Sequence, residues 1–319
     1  MKKLVYLLFP LLLLWPVLFA GDSVAARGKR PLPRTAAELG KLLFSELMLS
    51  YDYTIACDGC HKPELAFADT VPFNTGVGGK FASRNTPSVM NLAGHYPFFY
   101  DGRAATLEAQ ALGPIANPLE MALPIDSALA RLNGDEFYRQ AFHKLFRSPA
   151  TAENLGFALA EFERTLNTTA PWDKYMRGDS TAVSAAAVRG RDIFNNKGKC
   201  FDCHKGVDFT LDEFRNIGLY NGKNLNDRGR FDISRDSADQ GKFKTPGLRN
   251  VAVTGPYMHN GMFATLREVI DYYNEPQRIV PDAINTDTLI RPLHLSEKEK
   301  NDLEAFLRAL TNEQFTNTR

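Results

Sequence analysis

Two pentapeptides constrain this chain more than anything else in it: Cys57-Asp58-Gly59-Cys60-His61 and Cys200-Phe201-Asp202-Cys203-His204. The chain has four cysteines and spends all four on them. C-x-x-C-H is the attachment pattern of a c-type haem. Two thiols that add across the two vinyl groups of one porphyrin must sit about one helical turn apart. The next residue then lies under the iron, where an imidazole nitrogen becomes the proximal ligand. Zinc would draw all four thiolates onto one ion, and a redox C-x-x-C pair does not require the trailing His. The expected cofactors are therefore two covalent c-type haems, on Cys57 and Cys60 with His61, and on Cys200 and Cys203 with His204.

A length of 319 residues allows two domains with separate cores. A net charge of +1 gives no broad field that would favour nucleic acid or an anionic surface. Met1-Lys2-Lys3 followed by the apolar run Leu4 to Ala20 reads as a secretory signal peptide, with small residues at Ala20-Gly21 or Ala25-Ala26 for cleavage. The run is short for a membrane span and holds Pro10 and Pro16, so cleavage is favoured over an anchor and no membrane attachment is expected after it. No cysteine near the cleavage site offers a lipid anchor. Export to the periplasm fits haem attachment, which bacteria complete outside the inner membrane. Cysteines there would otherwise tend to be disulfides.

Residues 22–34 read as a polar leader. Thr35 can cap a helix from Ala36 to about Leu47, with Leu39, Leu42, Leu43 and Leu47 on one face. Residues 62–91 carry Gly76, Gly78, Gly79 and Pro87 and read as a loop, of a length usually functional or wrapped on a ligand. Ala104 to Leu112 reads as a short helix, Asp126 to Phe146 as one or two, and Asn154 to Leu166 as a strong amphipathic one. Asn167 to Val183 breaks the pattern and takes the domain boundary. Ser184 can cap Ala185 to Asn195, which leads into the second motif as the first helix led into the first. Residues 208–244 are polar and irregular. Thr265 to Tyr273 and Ser296 to Leu310 read as helices. No convincing strand set emerges. The expected class is mainly α, with two cytochrome c-like domains each carrying one covalently bound haem: 1–26 signal peptide, 27–175 N-terminal domain, 176–319 C-terminal domain.

Between the motifs stand Asn85-Thr86-Pro87, Asp101-Gly102-Arg103-Ala104, Gln110-Ala111-Leu112-Gly113-Pro114 and Leu119-Glu120-Met121. The second half adds Thr245-Pro246-Gly247-Leu248-Arg249-Asn250-Val251 and Gly255-Pro256-Tyr257-Met258-His259-Asn260-Gly261. In this order and spacing, over about residues 36–312, the chain resembles the bacterial dihaem cytochrome c peroxidases, a family that includes MauG-type enzymes acting on a protein substrate. The resemblance implies that the first haem reduces hydrogen peroxide and the second relays electrons one at a time. It implies that Glu120 is the distal acid-base residue and Gln110 the amide that orients peroxide. Read alone, Glu120 is equally a solvent-facing carboxylate after Pro118, and Gln110 a helix-surface amide. Asn85, with main-chain oxygens of Thr254 and Pro256, matches the family's calcium site; hard oxygen ligands suit Ca²⁺, and ordinary turn residues are the blander reading.

Three positions depart from the family pattern. Val77 stands where a removable distal His often lies, so the first haem is expected open and high-spin without prior reduction; His95 is the residue nearby that would close it. Tyr100 replaces the usual Trp before Asp-Gly-Arg, as part of an electron path between the haems or as packing. Tyr273 occupies the sixth-ligand position of the second iron, as in MauG-type enzymes, where electron-relaying peroxidases carry Met. Thioether favours Fe(II), and phenolate favours higher oxidation states. Met258, His259 and Met262 are the rivals. The leading expectation is a periplasmic peroxidase fed by a small cytochrome c or cupredoxin. A MauG-like oxidase and a non-enzymatic electron-transfer module stand behind it. The sequence leaves a homodimer open.

Overall fold

The computed structural model describes residues 30–316; the signal-peptide reading of 1–26 lies outside them. Thr35 accepts a hydrogen bond from the Glu38 N–H and starts α1 (Ala36–Phe44). α1 is shorter than the expected 36–47. Glu46 caps a separate 3₁₀ turn, Leu47–Leu49, by accepting from the Met48 N–H, and its other carboxylate oxygen takes the Tyr138 hydroxyl at 2.7 Å. Leu47 is thereby left 45% exposed instead of facing inward.

α2 (Leu107–Ala116) begins three residues later than the sequence suggests, because Ala104 is held in a bridge with Phe98 and Thr106 is the cap. Asp135 both closes α3 (Ile125–Gly134) and caps α4 (Glu136–Phe146). α5 (Ala152–Thr165) opens on a capping box between Thr151 and Asn154. The stretch 167–183 contains a helix that the sequence did not suggest, α6 (Pro171–Met176). Pro171 suits the first turn, and Trp172 is buried edge-on against Phe306 at 4.9 Å. α7 (Ala185–Asn195), α8 (Leu266–Asn274) and α9 (Glu297–Ala309) start at Ser184, Thr265 and Ser296 as their caps. Among the described residues the strands reduce to one short antiparallel pair, β1 (Phe214–Arg215) with β2 (Phe243–Lys244), inside the segment expected to be irregular. The class is mainly α.

Two helix crossings repeat one geometry. α1 meets α5 at Gly40, where any β-carbon would fall on the Ala158 carbonyl oxygen. α7 meets α9 at Gly190, where it would fall on the Asp302 carbonyl oxygen. Glycine is the residue that lets the backbones approach this closely. Beside the first crossing Phe44 packs on Phe162 with ring centres 5.2 Å apart at 63°. Beside the second, Phe194 packs on Phe306 at 5.1 Å and 63°. Each buried ring contributes about 1.5–3 kcal/mol of apolar transfer. The repetition continues past the motifs: a Phe98–Ala104 bridge precedes α2, and a Tyr257–Phe263 bridge precedes α8. Each C-x-x-C-H motif thus follows one tight helix of a crossed pair.

Candidate functional site

Cys57–Cys60 forms a single helical turn, and the His61 N–H donates to the Cys57 carbonyl at 2.8 Å. The second motif repeats this, with His204 N–H on the Cys200 carbonyl at 2.8 Å. The two thiols of each motif therefore lie one turn apart. All four are free and half-buried. Burial pushes Cys60 up to about 11 and Cys200 up to about 12, and raises Cys57 and Cys203 as well. Redox-active pairs need the reverse, a stabilised thiolate.

The imidazoles are set up alike. His61 Nδ1 lies 3.0 Å from the Phe67 carbonyl oxygen and His204 Nδ1 lies 2.9 Å from that of Phe209. A carbonyl oxygen only accepts, so each Nδ1 carries the hydrogen and each Nε2 keeps its lone pair. Burial holds both rings below the usual histidine range, hence neutral, as an iron ligand has to be.

A cavity of about 470 Å³ runs from one motif to the other, with Cys60, His61, Cys200, Cys203 and His204 in its walls. The same walls carry Asn85, Tyr100, Gln110, Glu120, Thr254, Pro256 and Tyr273. Cys57 faces a smaller hollow of about 50 Å³ that shares Cys60, His61, Gln110 and Glu120 with the large one. The structure thus brings the candidate residues from both halves of the sequence onto one continuous space.

Glu120 lies just beyond α2. The Asn117 amide donates to its Oε1 at 2.6 Å, a partner that sequence reasoning missed although it sits only three residues away. Burial raises the Glu120 carboxyl above its ordinary range, opposed by that hydrogen bond and by Arg103. Gln110 Oε1 is buried with no hydrogen-bond partner, which in a wall of this cavity marks a position for a ligand. The glycine loop packs over the same place: the Val77 N–H donates to the Glu120 carbonyl at 2.8 Å. Val77 brings no imidazole. His95 is occupied elsewhere, its Nδ1 2.7 Å from Asp212 and its Nε2 3.3 Å from Asp208, and Asp208 and Asp212 raise its pKa.

Around the second motif the adjacent tyrosines part company. Tyr272 is fully buried and donates its hydroxyl to the Ile217 carbonyl at 2.5 Å. Tyr273 lines the cavity, where burial and the neighbouring Tyr272, Cys200 and Cys203 disfavour its phenolate. Of its rivals, Met258 and His259 also line the cavity, while Met262 is 38% exposed. His259 stacks flat on Phe243 with ring centres 3.7 Å apart, and burial pushes it down to about 4. Asn85 is buried. Its amide nitrogen donates to the Val71 and Pro72 carbonyls, at 3.1 and 3.2 Å, and its N–H donates to the His259 carbonyl at 2.7 Å. Beside it, Arg84 holds Asp227 with two nitrogens, at 2.7 and 2.9 Å, and Asp101 with the third at 2.6 Å. This network joins segments far apart in the chain and left no local signal in the sequence.

The donor set fits a haem at each motif: paired thiols one turn apart, a neutral imidazole whose Nε2 keeps its lone pair, and a largely apolar hollow, which an orphaned amide oxygen also faces at the first motif.

Known proteins agree along the chain. The family model described as di-haem cytochrome c peroxidase matches residues 34–181. Over 295 residues the chain is 38% identical to the methylamine utilization protein MauG of Methylorubrum extorquens, covering 92% of this chain and 82% of that one. It is 34% identical over 283 residues to a cytochrome c551 peroxidase of Nitrosomonas europaea, covering 87% and 80%. The crystal structure of a MauG-like protein associated with microbial copper homeostasis matches with a TM-score of 0.80 at 32% identity, covering 91% of this chain and 95% of that one. With likeness of this extent, and both C-x-x-C-H motifs on one cavity, the chain belongs to the di-haem cytochrome c peroxidase family.

Proposed function

We propose that this protein is a periplasmic peroxidase that reduces hydrogen peroxide to water with electrons from a small cytochrome c or cupredoxin. The observation that carries the reading is the shared wall: Glu120 and the unpartnered Gln110 Oε1 border the same hollow as His61. Bound at the two motifs, the haems supply a Lewis-acidic iron for peroxide and storage for the two electrons its reduction takes. The rest falls to the chain. Cys57 and Cys60, and Cys200 and Cys203, hold the porphyrins by thioether bonds. His61 and His204 present Nε2. Gln110 Oε1 accepts a peroxide O–H and fixes its orientation. Glu120 takes the proton from one peroxide oxygen and returns it to the other, so that water leaves in place of hydroxide. Its raised pKa brings the two halves of that exchange closer in energy near neutral pH. Two protons enter from solvent, and with two electrons they complete the conversion of one peroxide to two waters.

The two-domain division at about residue 175 belongs to this reading and is supported by the repeated helix crossings on either side. So does a calcium ion held by Asn85 and the carbonyl oxygens of Thr254 and Pro256. With the Asn85 amide nitrogen donating to two carbonyls, its Oδ1 is the atom left to bind a cation. Among the described residues no helix is long and apolar enough to cross a membrane.

One observation favours a second reading. Tyr273 beside Cys200 and Cys203 suits a second haem that is stabilised when oxidised, as in an enzyme that modifies a protein. Adding peroxide to the ferric holoprotein with excess reduced cytochrome c separates the two. We expect steady oxidation of two cytochromes per peroxide. A long-lived oxidised spectrum without cytochrome turnover would replace the first reading with the second.

A further inference from the structure

Glu163 stands apart from the residues described above. It lies near the C-terminal end of α5 and is 4% exposed, and its Oε2 is buried with no hydrogen-bond partner. It lines the hollow at the first motif together with Cys57, Cys60 and His61. Its neighbour Arg164 turns away to pair with Glu108 and Glu161. Burial pushes the carboxyl up to about 8, with Arg164 pulling it down and Glu108 pushing it up, so it is mainly neutral at pH 7. An unpartnered buried carboxyl is costly and calls for a reason.

The chain contains its own control. Gly40 meets Ala158 and Phe162 as Gly190 meets Asp302 and Phe306. One residue beyond each phenylalanine is Glu163 in the first half and Leu307 in the second, and Leu307 also lines the cavity beside its own motif. The fold therefore accepts leucine at this position, and the carboxyl is not needed to build the helix crossing.

We propose that Glu163 is a positioning and tuning residue of the first haem alone: a neutral carboxylic acid that donates a hydrogen bond into the first haem site and so makes the two chemically similar attachment sites unequal. The proposal rests on the reading of Cys57 and Cys60 as a haem attachment site. A donor hydrogen aimed into the haem site puts the positive end of its dipole beside the porphyrin and disfavours Fe(III). Leucine at the same place removes that dipole and so favours Fe(III).

The test uses the full holoprotein and two variants. Covalent haem is counted first in each by intact mass. Two haems in every form uphold the attachment reading, and a missing first haem in the parent protein would end that reading independently of Glu163. Reduction potentials of both haems are then measured by optical titration. Glu163→Leu should lower the first haem's potential, moving its Fe(III)/Fe(II) equilibrium about tenfold, or about 59 mV. The second haem should stay put. Glu163→Gln, which keeps a neutral donor of the same size, should restore the parent value. Unchanged potentials in Glu163→Leu would reduce the residue to packing and overturn the proposal. Equal shifts in both variants would mean an ionised carboxylate and overturn it as well.

Discussion

Replacing Cys57 and Cys60 together with serine should abolish peroxide turnover and leave one haem attached, at Cys200 and Cys203. The expectation follows from how the cavity is divided. Glu120 and Gln110 border the hollow of the first motif, whereas Tyr273 neighbours Cys200 and Cys203. Serine nearly preserves the volume of cysteine but forms no thioether, so the first porphyrin loses its covalent hold while His61 remains. Intact mass should fall by one haem, and the spectrum of the second haem should persist, which shows that the protein has folded. The mirror replacement of Cys200 and Cys203 should leave peroxide able to react with the first haem but stop sustained turnover with reduced cytochrome c. Turnover that survived loss of the first haem would mean that the two roles are assigned the wrong way round.

The second large effect concerns one proton. Glu120→Gln should lower kcat/KM for peroxide by about 10²–10⁴-fold, the usual range for removing a general acid-base group, with both haems retained. Glutamine is close in size, so what disappears is the ability to carry the proton between the two oxygens. The pH dependence has a definite sign. Glu120 acts first as a base and must be ionised to do so. Burial raises its pKa, so the parent kcat/KM should fall on acidification at a pH above the ordinary carboxylate range. The glutamine variant should be slow and lack that acid limb. A variant that kept both the parent rate and the limb would place the base elsewhere.

What the sequence disclosed and what it hid have a common physical basis. The motifs were legible because haem attachment demands five consecutive residues, and the caps at Thr35, Ser184 and Ser296 because each side chain answers a backbone N–H three residues on. Glu120 and Gln110 came into view through resemblance; the sequence itself held no sign that the Gln110 oxygen would be left without a partner. Leu47 misled because its phase matches α1, whereas a side-chain contact between Glu46 and Tyr138 ends the helix first. α6 escaped because its strongest anchor, Trp172 on Phe306, spans the second half of the chain. Glu163 shares a helix face with Leu159, Phe162 and Leu166, which was the available signal. A carboxylate in that register reads as a boundary residue until the crossing at Gly40 turns the face inward. His95 lay near enough in sequence to be a candidate ligand, yet Asp208 and Asp212, supplied from the other half, engage both its nitrogens.

The central claim is that two haems are bound and that one of them keeps an open face beside Glu120. The most direct measurement is the low-temperature electron spin resonance spectrum of the oxidised holoprotein. Val77 in the glycine loop and the engagement of His95 by two aspartates predict one high-spin ferric signal from the first haem, alongside a separate low-spin signal from the second. Two low-spin signals and no high-spin component would contradict the account.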